Sequence, residues 1–351
     1  MFDRFTAEEQ YSWIVRSVAP NALRVLDMQD SHALRLWREH CILKGSTPLP
    51  EILSSVPDAT WPLLQRELAS ILRSDLTLVC SNAEMALLQN YGVPRDKLCL
   101  APFFYPEPEP AASNPPPLSF EERETGFCTI GTFNHNPNVD GIRWLAKEVW
   151  PLIRKQSDKF EMHIYGAHLD RAPGDVKQLH NPEKGFHLLG FADSVEDVLA
   201  KSKVLLAPLR FGAGLKTKIL DAWRVGLPVV TTPIGSEGIH VARSPGSLTY
   251  TAFDWGGFGR ATSAEEFAQD AIQLHEDRQL WNSASRRGLE MVSEGFSADR
   301  NLQKVQRALM EKQDNLQEIR SRDFVGQTLW HNNLRATEYF SRWVEMKETS
   351  K

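Results

Sequence analysis

Short apolar runs alternate with stretches of helical period over residues 127–252. Each run is rich in β-branched or aliphatic residues and ends in Gly, Pro or a polar residue, which predicts strands at FCTIG (127–131), EMHIYG (161–166), FHLLG (186–190), VLLAPL (204–209), PVVTT (228–232) and LTYTA (248–252). A stripe of apolar positions at a 3.6-residue period predicts an amphipathic helix over 137–155, and shorter helices are predicted at 193–201 and 216–226. Apolar strands that alternate with helices are typical of a parallel sheet covered on both faces. We therefore predict an α/β fold with a complete Rossmann-like unit here.

The first third of the chain has fewer strand signals. Strands are predicted only at 24–30, 76–81 and 97–103, with helices near 31–43, 59–73 and 82–91, and no strand is predicted before Arg24. The prolines of YPEPEPAASNPPPLSFEE (105–122) favour an extended connector, and the chain is predicted to be helical over 298–318 and 324–346. These features predict an incomplete first lobe at 1–115, a second lobe at 116–297 and terminal helices at 298–351.

Composition narrows the classes of function. The 351 residues carry a formal net charge of −5, which gives no basic excess for a nucleic-acid partner. The four cysteines are far apart and form no metal-ligand spacing, so they are interpreted as buried thiols in a reducing compartment. The charged N-terminus does not resemble a signal peptide and no apolar run is long enough for a membrane span. A soluble cytoplasmic protein is expected.

The most informative segment is APLRFGAGLKTKILDAW (207–223), where a strand runs into a glycine-rich turn and a helix. Gly212 and Gly214 lack Cβ atoms, so backbone N–H groups can approach an anion at the positive end of the helix. Lys216 and Lys218 add cationic donors, and the Asp221 carboxylate can accept hydrogen bonds from ligand hydroxyls. This set suits a sugar nucleotide diphosphate; the alternative is a glycine turn followed by solvated lysines and an ordinary helical Asp.

Further candidates lie at other predicted strand ends. Gly235 follows a strand within TTPIGSEGIH (231–240), and Gly131 with Thr132 ends the strand before the helix that begins near Pro137. Either position could offer N–H groups to a phosphate, although Asn-Pro-Asn is also a plain helix start. In the first lobe, His32 stands near the end of a strand; the alternative interpretation is a helix cap or a satisfied surface group.

Three stretches resemble the GT-B glycosyltransferases of the retaining family 4, or group 1, class. They are GTFNHNPNVDGIRWLAKEVWP (131–151), GFADSVEDVLAKSKVLLAPLRFGAGLKTKILDAWRVGLPVVTTPIGSEGI (190–239), and in the first lobe RVLDMQDSHALR (24–35) with SDLTLVCSNAEMALLQNYGVP (74–94). The resemblance implies two Rossmann-like lobes that face a cleft, with the C-terminal helices crossing back to the first lobe.

The resemblance also implies an activity. A hexose would move from a UDP- or GDP-linked donor to an acceptor hydroxyl with retention of configuration, without a metal or other cofactor. The acceptor, whether carbohydrate, lipid-linked or protein, stays open, as does contact with a membrane surface. Alternatives are a non-catalytic GT-B relic that acts as a binding subunit and a nucleotide-sugar epimerase.

For the site, the resemblance implies that Gly212, Gly214, Lys216 and Lys218 hold the diphosphate, helped by Gly131, Thr132 and Gly235. Gly190 and Phe191 would lie near the base, Asp221 would contact the ribose, and His32 would approach the transferred sugar. His32, Lys216 and Asp221 are the implied catalytic residues. One departure concerns the first residue of the family's carboxylate pair, whose position is occupied by Ala213.

Overall fold

The computed structural model describes residues 1–45, 48–106, 117–239 and 254–349 of the chain. Its strands are β1 Phe2–Asp3, β2 Val25–Asp27, β3 Leu76–Val79, β4 Leu98–Leu100, β5 Thr125–Ile130, β6 Met162–Tyr165, β7 Phe186–Gly190, β8 Ser202–Ala207, β9 Val229–Thr231 and β10 Gly257–Phe258. Its α-helices are α1 Arg4–Val18, α2 His32–Leu43, α3 Leu49–Ser54, α4 Pro62–Arg73, α5 Asn82–Asn90, α6 Asn136–Trp144, α7 Trp150–Gln156, α8 Gly174–Lys177, α9 Val195–Lys201, α10 Thr217–Arg224, α11 Pro233–Ser236, α12 Ala264–Glu276, α13 Arg278–Gly295, α14 Ala298–Asp314, α15 Leu316–Arg322 and α16 Phe324–Thr349.

Contacts between residues divide the chain into two units. Unit 1 comprises Met1–Leu34, Pro57–Phe104 and Ala298–Lys351, and unit 2 comprises Arg35–Val56 and Tyr105–Ser297. The contacts therefore group residues 35–56 with unit 2, whereas the sequence analysis assigned all of 1–115 to the first lobe. The middle of the predicted Pro-rich connector, residues 107–116, lies outside the described residues.

Unit 1 contains a parallel sheet in the order β1-β2-β3-β4. Its apolar core includes Leu26, Ile71 and Val79, all fully buried. Asp75 is held inside this unit by two guanidinium groups, with Arg24 Nη2 at 2.6 Å from Oδ1 and Arg320 Nη2 at 2.7 Å from Oδ2. The terminal helix α16 packs on α1 and α4 of the same unit.

Unit 2 contains a six-stranded parallel sheet in the order β10-β9-β8-β5-β6-β7. Strand β8 is buried almost throughout and lies between β5 and β9, which is why its sequence is a continuous apolar run. The helix predicted over 137–155 is present as α6 and α7, joined by a π-helical segment at Leu145–Val149. Pro151 has no N–H to donate to residue 147, which accounts for the irregular turn at this place.

The predicted α/β fold with parallel sheets is confirmed. The expectation that no strand precedes Arg24 is wrong, because β1 pairs in parallel with β2, Phe2 opposite Leu26. A two-residue strand has no alternation that a pattern search can detect. The predicted strand at 248–252 lies outside the described residues, and the sixth strand within them is β10.

Helices α12 and α13 were not predicted from the pattern. Both carry start signals that could have found them: the Ser263 side chain accepts from the N–H of Glu266, and the Asp277 side chain accepts from the N–H groups of Gln279 and Leu280. In the part of the chain that the structure describes, no helix combines the length and apolar character needed to cross a bilayer.

Candidate functional site

The candidate site is built on the carboxyl edge of the six-stranded sheet in unit 2. Because β8 lies between β5 and β9, the segments that follow these three strands are brought side by side. They carry Gly131 and Thr132 after β5, Gly212 to Lys218 after β8 and Gly235 after β9. Ligands of parallel α/β sheets bind at this edge, where loops meet the N-termini of helices.

The turn after β8 has a backbone that only glycine adopts easily. Gly212 has φ +152° and Gly214 has φ +68°, both in the region that side-chain-bearing residues rarely enter. The Gly212 carbonyl accepts a hydrogen bond from Arg38 Nη1 at 2.9 Å. The same guanidinium makes a bidentate pair with Glu237, at 2.6 and 2.8 Å, and is almost fully buried. Arg38 therefore fixes the glycine turn to the segment after β9.

Two lysines stand at the start of α10. Lys216 is buried and occupies the N-cap position, where its ammonium donates to the Gly214 carbonyl at 2.5 Å. The Lys218 ammonium donates to Asn138 Oδ1 at 2.8 Å. Burial, together with the neighbouring charge of Lys216, lowers the pKa of Lys218 to about 8. Two ammonium groups kept close together in a dry environment are stabilised by a bound anion.

Asn138 joins the segment after β5 to this cationic group. Its amide nitrogen donates to the Thr132 carbonyl at 3.1 Å while its oxygen accepts from Lys218. A Cβ on Gly131 would lie 2.6 Å from the Asn138 side chain, so the glycine leaves the space that this amide occupies. Gly131 and Thr132 thus act through Asn138, which holds the Lys218 ammonium in place.

Gly235 has a packing role. A Cβ at this position would lie 1.8 Å from Thr231 Oγ1, so any side chain would displace the end of β9. Its N–H donates to Thr232 Oγ1 at 3.2 Å, as an N-cap bond of the short helix α11. The prediction that this N–H faces a phosphate is therefore wrong, because the N–H already has a partner inside the turn.

Asp221 lies in α10, one turn beyond the lysines. Its carboxylate accepts a hydrogen bond from the Tyr105 hydroxyl at 2.8 Å, and the Arg224 guanidinium lies 4.6 Å from the centre of the Tyr105 ring. Burial raises the pKa of Asp221 above its ordinary value, and the hydrogen bond from Tyr105 opposes this shift. Tyr105, which sequence reasoning did not select, therefore orients the Asp221 carboxylate.

Gly190 and Phe191 end β7, three strands from β8 along the sheet, a separation of roughly 14 Å at ~4.8 Å per strand. Gly190 has φ +76°, and the Phe191 ring is 74% exposed. An exposed aromatic at this distance from the lysines can stack on the far end of an elongated ligand. Ala213 is buried in the turn and supplies no carboxylate.

His32 lies in unit 1, as the first residue of α2. Its Nε2 is 3.4 Å from Asp30 Oδ1 and its ring meets Phe5 edge-on. The buried carboxylate of Glu67 accepts from the backbone N–H groups of His32 and Ala33, which caps the helix. Sequence reasoning also missed Arg38 and Glu67, because their partners are remote along the chain.

The comparisons with known proteins agree with this geometry. Residues 124–277 match the family model Glycosyl transferases group 1. A curated relative, an uncharacterized 44.6 kDa protein in the cps region of Klebsiella pneumoniae, is 27% identical over 129 residues, which cover 35% of this chain and 33% of that protein.

Solved structures give the same fold. A complex of S. aureus TarM with fondaparinux, α-GlcNAc-glycerol and UDP superposes with TM-score 0.61 at 14% identity, covering 86% of this chain and 54% of TarM. Anabaena HepE in complex with UDP-glucose gives TM-score 0.60 at 13% identity, covering 88% of this chain and 76% of HepE. The chain thus spans about half the length of TarM and a third of the curated relative.

Proposed function

We propose, from the match of residues 124–277 to Glycosyl transferases group 1 and from the site on the carboxyl edge of unit 2, that the chain is a GT-B glycosyltransferase. It transfers a hexose from a nucleoside diphosphate hexose to an acceptor hydroxyl, with retention of configuration. The observation that carries this proposal is the meeting of Lys216, Lys218 and the Gly212–Gly214 turn at one strand end.

The lysines and the turn stabilise the leaving group. As the bond from the sugar to the diphosphate breaks, negative charge grows on the diphosphate oxygens, and preorganised cations reduce the barrier. The Lys216 ammonium, which donates to the Gly214 carbonyl, exchanges this neutral acceptor for a phosphate oxygen, because charge-assisted bonds are stronger. Arg38 and Asn138 keep the turn and Lys218 fixed, so little reorganisation accompanies the reaction.

The nucleoside extends from the diphosphate along the sheet. The Asp221 carboxylate, oriented by Tyr105, accepts hydrogen bonds from the ribose hydroxyls, and the exposed Phe191 ring stacks on the base. UDP is the first nucleotide to test, because both TarM and HepE were crystallised with UDP or UDP-glucose. With two ammonium groups at the diphosphate, the donor needs no metal for charge neutralisation.

The role of His32 rests on the resemblance. We expect it to contact the transferred sugar, so the variant His32→Ala should lower turnover and leave UDP affinity unchanged. An equal loss of UDP affinity would contradict that role. The acceptor class is a carbohydrate, a lipid-linked sugar or a protein.

Nucleotide binding by the purified chain tests the donor site. A nucleotide at 100 times its dissociation constant should raise the free energy of unfolding by about 2.7 kcal/mol, measured by thermal shift with UDP, GDP and ADP and their hexose conjugates. The variant Lys216→Gln should weaken binding about 10–100-fold, the cost of a lost charged hydrogen bond, whereas the exposed Lys155→Gln serves as the matched control.

The outcomes separate the proposal from its alternatives. One stabilising nucleotide whose effect is lost in Lys216→Gln supports the donor site, and transfer of the hexose to an acceptor supports the enzyme. Tight binding without turnover against any acceptor indicates a binding subunit, and an epimerised donor without acceptor indicates an epimerase. No response to any nucleotide from the folded chain overturns the proposal.

A further inference from the structure

A second group of chemically active side chains lies on β6 and β7, near the start of these strands rather than at their carboxyl ends. His163 in β6 and His187 in β7 are direct cross-strand partners. Glu161 is two residues before His163, so its side chain points to the same face of the sheet. The donor site described above uses none of these residues.

The three side chains bring their ligand atoms together. Glu161 Oε2 is 3.4 Å from His163 Nε2, and Glu161 Oε1 is 3.8 Å from His187 Nε2. All three ligand atoms lie within 4.8 Å of one another. A tetrahedral zinc ion with bonds of about 2.0–2.1 Å needs ligand atoms roughly 3.3 Å apart, so small side-chain rotations close the set.

The His187 ring supplies an independent observation. Its Nε2 atom is shielded from solvent and has no hydrogen-bond partner among the described residues. A buried polar atom without a partner is costly, and a metal ion bound to Nε2 removes this cost. The nearby His180 differs, because its Nδ1 accepts the Leu188 N–H at 3.1 Å and the ring proton is therefore on Nε2.

We propose that Glu161, His163 and His187 bind a zinc ion on the outer strands of the unit 2 sheet. Two imidazoles and one carboxylate form a typical zinc ligand set, and the Glu161 side chain, about half exposed, leaves the fourth position to water. The ion joins β6 to the edge strand β7, three residues before Gly190. This site is separate from the proposed donor site and does not depend on glycosyl transfer.

Metal binding by the full chain tests this site. After treatment with a chelator, the protein should bind one Zn²⁺ per chain in competition with a chromophoric chelator, and Co²⁺ should give a four- or five-coordinate visible spectrum. The variants Glu161→Gln, His163→Gln and His187→Gln should each weaken Zn²⁺ at least tenfold, because even indirect ligand partners contribute 10–100-fold. Zn²⁺ should also raise the unfolding midpoint of the unchanged chain.

Two control variants match these changes. His180→Gln removes a neighbouring imidazole and keeps an acceptor for Leu188, and Glu183→Gln removes a nearby surface charge. Both should retain Zn²⁺ affinity within about twofold. The proposal is overturned by no saturable Zn²⁺ binding, or by binding that Glu161→Gln, His163→Gln and His187→Gln leave intact while circular dichroism shows them folded. A ligand variant that does not fold is replaced by the double variant with its partner and by the Co²⁺ spectrum.

Discussion

Lys218 is expected to take up a proton when a nucleoside diphosphate binds beside it. In the ligand-free chain, burial and the charge of Lys216 lower the pKa of Lys218 to about 8 from the ordinary 10.5. A bound diphosphate places negative charge next to this ammonium and raises the pKa again, because opposite charges favour the ionised form. Binding of the nucleotide is thereby coupled to protonation of Lys218.

The size of the uptake follows from this pKa. At pH 8.5, a group with a pKa of about 8 is roughly three quarters unprotonated, so binding should take up about 0.7 proton per chain. The nucleotide contributes little at this pH, because the second ionisation of a phosphate, near pH 6, is complete. The expected signal is therefore most of one proton and arises from one side chain.

Isothermal titration calorimetry measures this uptake. Titrations with UDP at pH 8.5 in buffers of different ionisation enthalpy give the number of protons as the slope of observed enthalpy against buffer enthalpy. The matched variant is Lys218→Arg, whose guanidinium stays charged at this pH. It should retain binding and lose the slope, while Lys218→Gln should lose both the slope and at least about tenfold in affinity.

Two results would refute the reasoning. A slope near zero in the unchanged chain, with UDP bound, would mean that the Lys218 ammonium is already fully charged or does not meet the phosphate. An equal slope in the unchanged chain and in Lys218→Arg would assign the proton to another group.

Three further changes test the framework of the site and of unit 1. Gly235→Ala should lower the free energy of unfolding by about 1–3 kcal/mol, because its Cβ would lie 1.8 Å from Thr231 Oγ1; urea denaturation measures this. Arg38→Met should cost roughly 3–5 kcal/mol in the same assay, because it leaves the Glu237 carboxylate without its bidentate partner. Burial raises the pKa of Glu67 from 4.5 to about 7, so its stabilising contribution is complete below pH 4.5 and falls by about 3 kcal/mol as pH rises through 7; Glu67→Gln should flatten the dependence of stability on pH over this range.

Each of these has its own control. Gly174→Ala, where a Cβ would meet nothing within 4 Å, should change stability by less than about 0.5 kcal/mol; a similar loss at both glycines would contradict the steric argument. For Arg38→Met, adding Glu237→Gln should restore part of the stability, and purely additive losses would show that the pair is not coupled. A stability profile of Glu67→Gln parallel to that of the unchanged chain would assign the pH dependence to other groups.

The sheet of unit 2 could be predicted because burial on both faces leaves a readable signal. Strands β5 to β9 are apolar runs closed by Gly or Pro, and Lys216, Lys218 and Asp221 follow one of them closely along the chain. The strand β1 could not be found this way, because two residues carry no periodicity.

The parts of the site that sequence could not supply depend on contacts between distant residues. Arg38 reaches Glu237 across 199 positions, and Tyr105 reaches Asp221 across 116. The pairing of His163 with His187 follows from the register of two neighbouring strands, which no local pattern encodes. Even for Gly235 the pattern indicated a turn, but its reason, the Thr231 hydroxyl, appears only in the folded chain.

A crystal structure of the chain with UDP tests the central claim most directly. The account predicts that the diphosphate lies against the Gly212–Gly214 turn, with its oxygens within hydrogen-bond distance of the Lys216 and Lys218 ammonium groups. It also predicts the ribose beside Asp221 and the base against Phe191. Phosphates bound elsewhere, with the Lys216 ammonium still on the Gly214 carbonyl, would contradict the account.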